Sequence, residues 1–337
     1  MAMPMRMQNL ILLVTFAAPT VHAAMPASKF SCPKVEVSAK DMGIKTRYMA
    51  KRIDPTSSTL DPDAVAAQSG VREEVSYPAK KIVNLSMLYR KGPSKEIADC
   101  LTTHLNALAE SNYLEGSGEY NILYKSWMIS AINLSLLGLE ADSHPAPELQ
   151  DARFRTWLGT RTHEITAFFR DKGCENNHCY WAGVAAASSA RYLKSDDPLQ
   201  FSKWVLLQSE KNVNDSGQLS AEVSRGTMAF HYSAFSIAAL LVQTRLWGRS
   251  DSSAEAFVSK LSGRFCSDAH TGSSGTTFAG IPEQNVRGAS AYVSLITRAE
   301  PQKCGGLASS SSADARSFFL GWNMDYVRGL VTAERAQ

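Results

Sequence analysis

The chain has 337 residues, of which 44% are hydrophobic and 20% charged, a balance that suits a folded globular protein and excludes general disorder. Its 35 basic residues face 32 acidic ones, for a formal charge of +3, and no clustered basic stripe accompanies that small excess. A nucleic-acid partner is therefore not expected, whereas an acidic substrate is compatible with the charge.

At the N-terminus, Arg6 precedes the apolar run Leu10 to Ala18, and Val21-His22-Ala23 follows with small residues where a signal peptidase reads. Residues 1–23 are expected to be a secretory signal and 24–337 a single exported domain, periplasmic or extracellular. Loss of Arg6 with the signal lowers the formal charge to +2. The apolar run is too short for a bilayer, and no later segment reaches about 18 uninterrupted apolar residues, so no membrane span is expected. The segment Lys51 to Ala67, with two Asp-Pro pairs, reads as mobile.

From Ile82 onward helix follows helix. Ile82, Leu85, Leu88 and Tyr89 recur at helical spacing up to the Gly92-Pro93 breaker. Ile97 to Ala109, Leu123 to Leu139 and Phe154 to Phe169 carry apolar stripes that read first as core packing. Tyr180 to Leu193 is rich in small residues and helix-compatible, Phe201 to Lys211 gives another helix, and Met228 to Trp247 a long one ending at Gly248. Ser267 to Thr277 and Ala308 to Ala313 read as loops, and no useful period-2 alternation competes. Such a series of helices predicts an all-α fold of stacked helical hairpins; without a clean repeat, a regular solenoid is less favoured.

All six cysteines, Cys32, Cys100, Cys174, Cys179, Cys266 and Cys304, lie beyond the signal. An even number in an oxidising compartment favours disulfides, with many pairings open. The preferred reading joins Cys32 to Cys100, tying the N-terminal arm to a helix; Cys174 to Cys179, closing a small local loop; and Cys266 to Cys304. No CxxC pair exists, and the lone CxxxxC brackets one histidine, His178, so no metal is expected.

The densest chemical cluster is Cys174-Glu175-Asn176-Asn177-His178-Cys179-Tyr180-Trp181, where two amides, an imidazole and two aromatics meet before a helix. Further on comes Arg225, and seven residues later Tyr232, preceded by His231. If Arg225 stands at the mouth of a helix and Tyr232 two turns inside it, that spacing puts guanidinium and phenol on one face. Each residue also has a plain reading: Asn177 as a helix cap, His178 as a core histidine, Arg225 as a surface cation, Tyr232 as packing.

The run Asn176-Asn177-His178-Cys179-Tyr180-Trp181-Ala182 resembles the Asn-Asn-His-x-Tyr-Trp-Ala signature of the periplasmic alginate lyases, the poly(β-D-mannuronate) lyases of polysaccharide lyase family 5. Arg225 to Gly248 is similar to that family's arginine, the tyrosine seven positions on, and the apolar helix closed by glycine. Weaker similarity runs through Arg47-Tyr48, Leu88 to Gly92 with Cys100, and Phe319-Leu320-Gly321. This chain departs from the pattern at Cys179, in a shorter loop before Arg225, and around Asn285 to Tyr292. A shifted register, aligning Glu222-Val-Ser-Arg225-Gly226 on a similar family string, would put Met228 and Phe235 in the arginine and tyrosine places.

The resemblance implies an α/α-toroid, an incomplete α/α-barrel of antiparallel hairpins, with Asn177, His178, Arg225 and Tyr232 as the catalytic set. A lyase must remove the C5 proton of a uronate, which its own carboxylate makes difficult. An amide, an imidazole and an arginine fork can neutralise that carboxylate. Tyr232 is then the candidate to take the C5 proton and protonate the leaving 4-oxygen, with His178 as base for the other C5 configuration. Arg47, Tyr48, Lys51, Arg52, Lys125, Trp181 and His231 complete the expected substrate-binding set, the first four as a basic lid near 47–67. The scheme calls for no cofactor, and the chain is expected to be a monomer whose partner is an anionic polysaccharide such as polymannuronate.

Four other readings compete. A lyase of another polyuronate such as glucuronan would share the same residues, and a non-catalytic polysaccharide-binding protein would keep the scaffold. A hydrolase would need two carboxylates across a cleft, for which Asp171 and Glu175 are the nearby candidates. A serine hydrolase is remote, because there is no GxSxG.

Overall fold

The computed structural model describes residues 30–37, 62–141, 151–248, 251–272, 275–286, 288–304, 307, 317–321 and 324–332. Eleven α-helices carry nearly all of the regular structure there: α1 (Pro62–Lys91), α2 (Lys95–Glu110), α3 (Glu119–Ala141), α4 (Ala152–Lys172), α5 (Asn177–Leu193), α6 (Asp196–Lys211), α7 (Ser220–Val223), α8 (Ala229–Leu246), α9 (Ser252–Asp268), α10 (Ser290–Ala299) and α11 (Met324–Thr332). Residues 32–337 group as one unit and 1–31 as another, of which only Phe30 and Ser31 are described.

Packing runs between alternate helices, and that alternation builds the fold. α1 lies on α3, α3 on α5, α5 on α8 and α8 on α10, while α2 lies on α4 and α4 on α6 behind them. The first set is an inner layer and the second an outer one, the α/α-toroid architecture. Composition explains the sorting. α8 is buried from Ser233 to Thr244 and α5 across nearly its whole length, because both are apolar or small on every side. Such helices must lie inside, whereas the amphipathic α2 turns one stripe inward through Ile97, Leu101, Leu105 and Leu108. α3 is long and apolar enough over Asn121–Ala141 to cross a membrane, with mean hydropathy 1.3, but it is buried in the protein from Asn121 to Leu139 and is a core helix.

Small residues let α5 take its central place. Gly183 faces Gln243 of α8 so closely that a Cβ there would meet its Oε1 at 2.0 Å. Polar side chains stitch the same helix to its neighbours: Asn133 Nδ2 donates to Ser188 Oγ at 3.2 Å and Ser189 Oγ at 3.0 Å. Near the C-terminus Gly321, at φ +68°, rests on α3, where a Cβ would lie 2.7 Å from Ser135 N.

The three disulfides are Cys32–Cys100, Cys174–Cys179 and Cys266–Cys304, with Cα separations of 5.7, 5.2 and 5.1 Å. Other expectations need correction. α1 begins at Pro62, twenty residues before the Ile82 stripe, so the last part of the segment expected to be mobile is helical; buried Val75 and Ala79 extend its contact with the core. The described residues of the expected loop Ser267 to Thr277 are regular: α9 runs to Asp268, and β1 (Ala269–Gly272) pairs antiparallel with β2 (Gly275–Phe278). Polar α9 hides its periodicity, and Asp251 starts it by accepting from Ser253 N and Ala254 N.

Candidate active site

The site is built where α4 ends and α5 begins. Gly173, at φ +89°, stops α4, and the Cys174–Cys179 disulfide closes the turn. Asn212 Nδ2 holds this turn from α6, donating to Cys174 O at 2.6 Å and to Tyr180 Oη at 3.1 Å. Asn176, not Asn177, is the N-cap, its Oδ1 accepting from His178 N at 3.0 Å. Asn177 is thereby released from capping and buried, and His178 is left half-buried at the first turn of α5.

Asn177 meets a residue that the sequence did not suggest as functional. Glu222 of the short helix α7 has no exposed surface, and its Oε1 accepts from the Asn177 backbone N–H at 2.7 Å. The Asn177 amide nitrogen lies 3.2 Å from each Glu222 oxygen. Burial pushes the Glu222 carboxyl above the ordinary glutamate range, opposed by the charge of Arg225 and by the Asn177 hydrogen bonds.

Arg225 does not begin the long helix. Gly226 turns the chain at φ +56°, a 3-10 turn covers Gly226–Met228, and α8 starts only at Ala229, so Tyr232 lies in its first turn rather than two turns in. The expected pair forms nonetheless: the Arg225 guanidinium stands over the Tyr232 ring, 5.1 Å from its centroid. Gln284 braces the bend by donating to Gly226 O at 3.1 Å and accepting from Phe230 N at 2.8 Å. Phe235, the tyrosine's rival in the shifted register, is buried among Trp127, Trp181, Tyr292 and Phe319.

His178 opens on a cleft of about 210 Å3 whose walls include Glu119, Phe168, Lys172 and Glu175. Glu175 is therefore a wall residue of this cleft, which Asp171 does not line. His231 is half-buried, edge-on to Tyr232 at 5.3 Å and stacked on Phe235 at 6.2 Å.

Two expected binding residues are structural instead. Lys125 has no exposed surface; its Nζ donates to Gly116 O at 2.6 Å and to the Glu164 carboxylate, which Arg161 also meets at 3.1 Å. Irregular backbone between α2 and α3 needs such donors, and Arg161 Nη1 likewise reaches Leu114 O at 3.3 Å. Trp181 is fully buried, its ring 4.8 Å from Phe235 and 6.0 Å from Phe319, because its position on α5 turns it into the core rather than toward a ligand. Arg47, Tyr48, Lys51 and Arg52 lie outside the described residues. Among the described residues, one grouping brings metal-ligand types together, Cys32, Cys100 and His104, and its sulfurs are bonded to each other.

A two-layer helical toroid with a cleft-facing histidine next to a buried amide at the start of α5, and an arginine over a tyrosine at the start of α8, is the framework of a polysaccharide lyase. The alginate lyase family model matches residues 50–253, well over half of the chain, and the chain belongs to that family. It is 24% identical over 252 residues to a polysaccharide lyase of Stenotrophomonas maltophilia (strain K279a), covering 73% of this chain and 71% of that protein. The fold is similar to alginate lyase A1-III from Sphingomonas species A1, with TM-score 0.60 and 18% identity over 88% of this chain and 85% of that one. A tyrosine-to-phenylalanine variant of that lyase complexed with a tetrasaccharide gives TM-score 0.61 at 18% identity, covering 90% and 88%.

Proposed function

We propose that this protein is exported and cleaves the mannuronate-rich parts of alginate by β-elimination, with Arg225, Tyr232, His178 and Asn177 at the reacting sugar. The observation that carries this reading is the guanidinium of Arg225 held 5.1 Å over the ring of Tyr232. A cation and a phenol that touch can address one uronate together. The relatives add support: in alginate lyase A1-III a histidine-to-alanine and a tyrosine-to-phenylalanine variant replace residues 54 positions apart, the separation of His178 and Tyr232 here. Three disulfides among the described residues suit an oxidising compartment.

In the proposed reaction Arg225 receives the substrate carboxylate and offsets the charge that builds up as the C5–H bond breaks. Tyr232 takes the C5 proton and the 4-oxygen leaves with a proton, so that the C4–O electrons depart and C4=C5 forms. His178 is the second base, suited to the opposite C5 configuration.

Incubation with polymannuronate, polyguluronate and glucuronan, followed by the ultraviolet absorbance of the conjugated product, tests this. Polymannuronate should react fastest, and Tyr232→Phe should lower kcat by roughly a thousandfold. New reducing ends without absorbance would identify hydrolysis and overturn elimination; faster turnover of glucuronan would move the substrate; binding without cleavage by wild type would leave a non-catalytic binder.

A further inference from the structure

The chemistry just described leaves one buried ionisable group without a task. Burying a carboxylate is costly unless donors meet it, yet Glu222 has no exposed surface, and apart from Ser236 of α8 the side chains that stabilise its charge, Asn177 and Arg225, are residues of the proposed centre. Asn177 offers it a backbone N–H and an amide nitrogen, and Arg225, three residues along, supplies the opposing charge. The helix itself does not require this carboxylate: Asn176 already caps α5, and the Cys174–Cys179 bond already ties the turn. A neutral acceptor would satisfy the Asn177 N–H equally well.

We infer that Glu222 is the positioning residue of this site, fixing the Asn177 amide and the Arg225 guanidinium in the arrangement that receives the substrate carboxylate; the inference rests on the lyase reading above. Glu222 touches the Asn177 amide directly and acts on Arg225 through its charge and a backbone bond, Arg225 N to Glu222 O at 3.2 Å, while the guanidinium itself stands over the Tyr232 ring. A fork held before substrate arrives loses little freedom on binding and needs no reorganisation as charge develops. Besides Arg225, the titratable group that feels the Glu222 charge is Tyr180 of α5, itself buried, and the neutral donors are Asn177 and Ser236 of α8. Because burial raises the Glu222 carboxyl, the working carboxylate is lost on the acid side earlier than an ordinary glutamate would be.

The test measures kcat and KM on polymannuronate across pH for wild type, E222Q and E222D, with thermal melts as a fold control. E222Q keeps the shape and removes the charge. It should melt near wild type, lose roughly 30-fold in kcat with KM changed less than about threefold, and lose the acid limb of the kcat profile. E222D, which restores the charge one methylene short, should recover part of that kcat. Equal kcat in E222D and E222Q, or a wild-type kcat and acid limb in E222Q, would overturn the inference while leaving the lyase reading intact. Inert wild type would instead remove the lyase reading. If E222Q does not fold, E222D decides: a kcat at least about tenfold below wild type with KM changed less than about threefold supports the inference, and a wild-type kcat overturns it.

Discussion

Gly183 gives the sharpest stability test, because α5 carries Asn177 and His178 and reaches its place through this glycine. A methyl there would lie 2.0 Å from Gln243 Oε1, 3.0 Å from its Cδ and 3.1 Å from Val205 Cγ1. Gln243 and Val205 are fully buried, so neither moves into solvent. Gln243 Oε1 also accepts from Ser202 Oγ at 3.1 Å, and that hydroxyl accepts from Trp247 Nε1 at 2.9 Å. Gly183→Ala gains about 1 kcal/mol of helix propensity. Against this stand about 2 kcal/mol for forcing a methyl into a packed core and about 2 kcal/mol for breaking the buried Ser202 bond. The net loss is about 3 kcal/mol, which for a chain of this size lowers Tm by roughly 4 °C. Calorimetry of the oxidised protein measures it. Adding Gln243→Ala removes the obstruction, so the double variant should be no less stable than Gln243→Ala alone. A Gly183→Ala protein that melts at or above wild type would refute the close approach of α5 and α8.

Lys125→Met should lower stability by about 1–3 kcal/mol through the loss of the Gly116 and Glu164 contacts, and leave KM for alginate unchanged. A raised KM at wild-type stability would return Lys125 to the substrate site. Removing Cys32–Cys100, which spans 68 residues, should cost about 4 kcal/mol, and removing Cys174–Cys179, which spans 5, only about 2 kcal/mol; urea midpoints in the reverse order would contradict the loop-entropy account. Burial holds the His104 imidazole below its ordinary value of 6.5, where its Nε2 meets Pro33 O at 3.1 Å. Its folded form stays neutral longer, so the unfolded chain takes up the proton first as pH falls through 6.5, and stability present above that value is lost below it. Urea midpoints from about pH 8 to about pH 5 should therefore fall less steeply in His104→Gln than in wild type; parallel slopes would exclude His104 as the titrating group.

Residue type and period alone determined much of this protein. The apolar stripes of α2, α3 and α4 are local facts, and so is the all-round apolar character of α8, which can satisfy its surface only from inside a helical stack. The run Asn176 to Ala182 likewise announced its family by identity and order. Polar α9 and the β1–β2 hairpin were not legible, since a weak local pattern there is stabilised by contacts made elsewhere. Only the tertiary structure decided which neighbours each side chain meets. Lys125 and Trp181 have the right chemistry for a uronate and face inward, because the helix phase turns them toward Glu164 and Phe235. Glu222, 45 residues from Asn177, entered the sequence reading only as part of a rival alignment, and α7 alone places it against the start of α5. A sequence fixes what a side chain can do, whereas its partner depends on which distant element folds against it, and at this site that partner is a buried carboxylate.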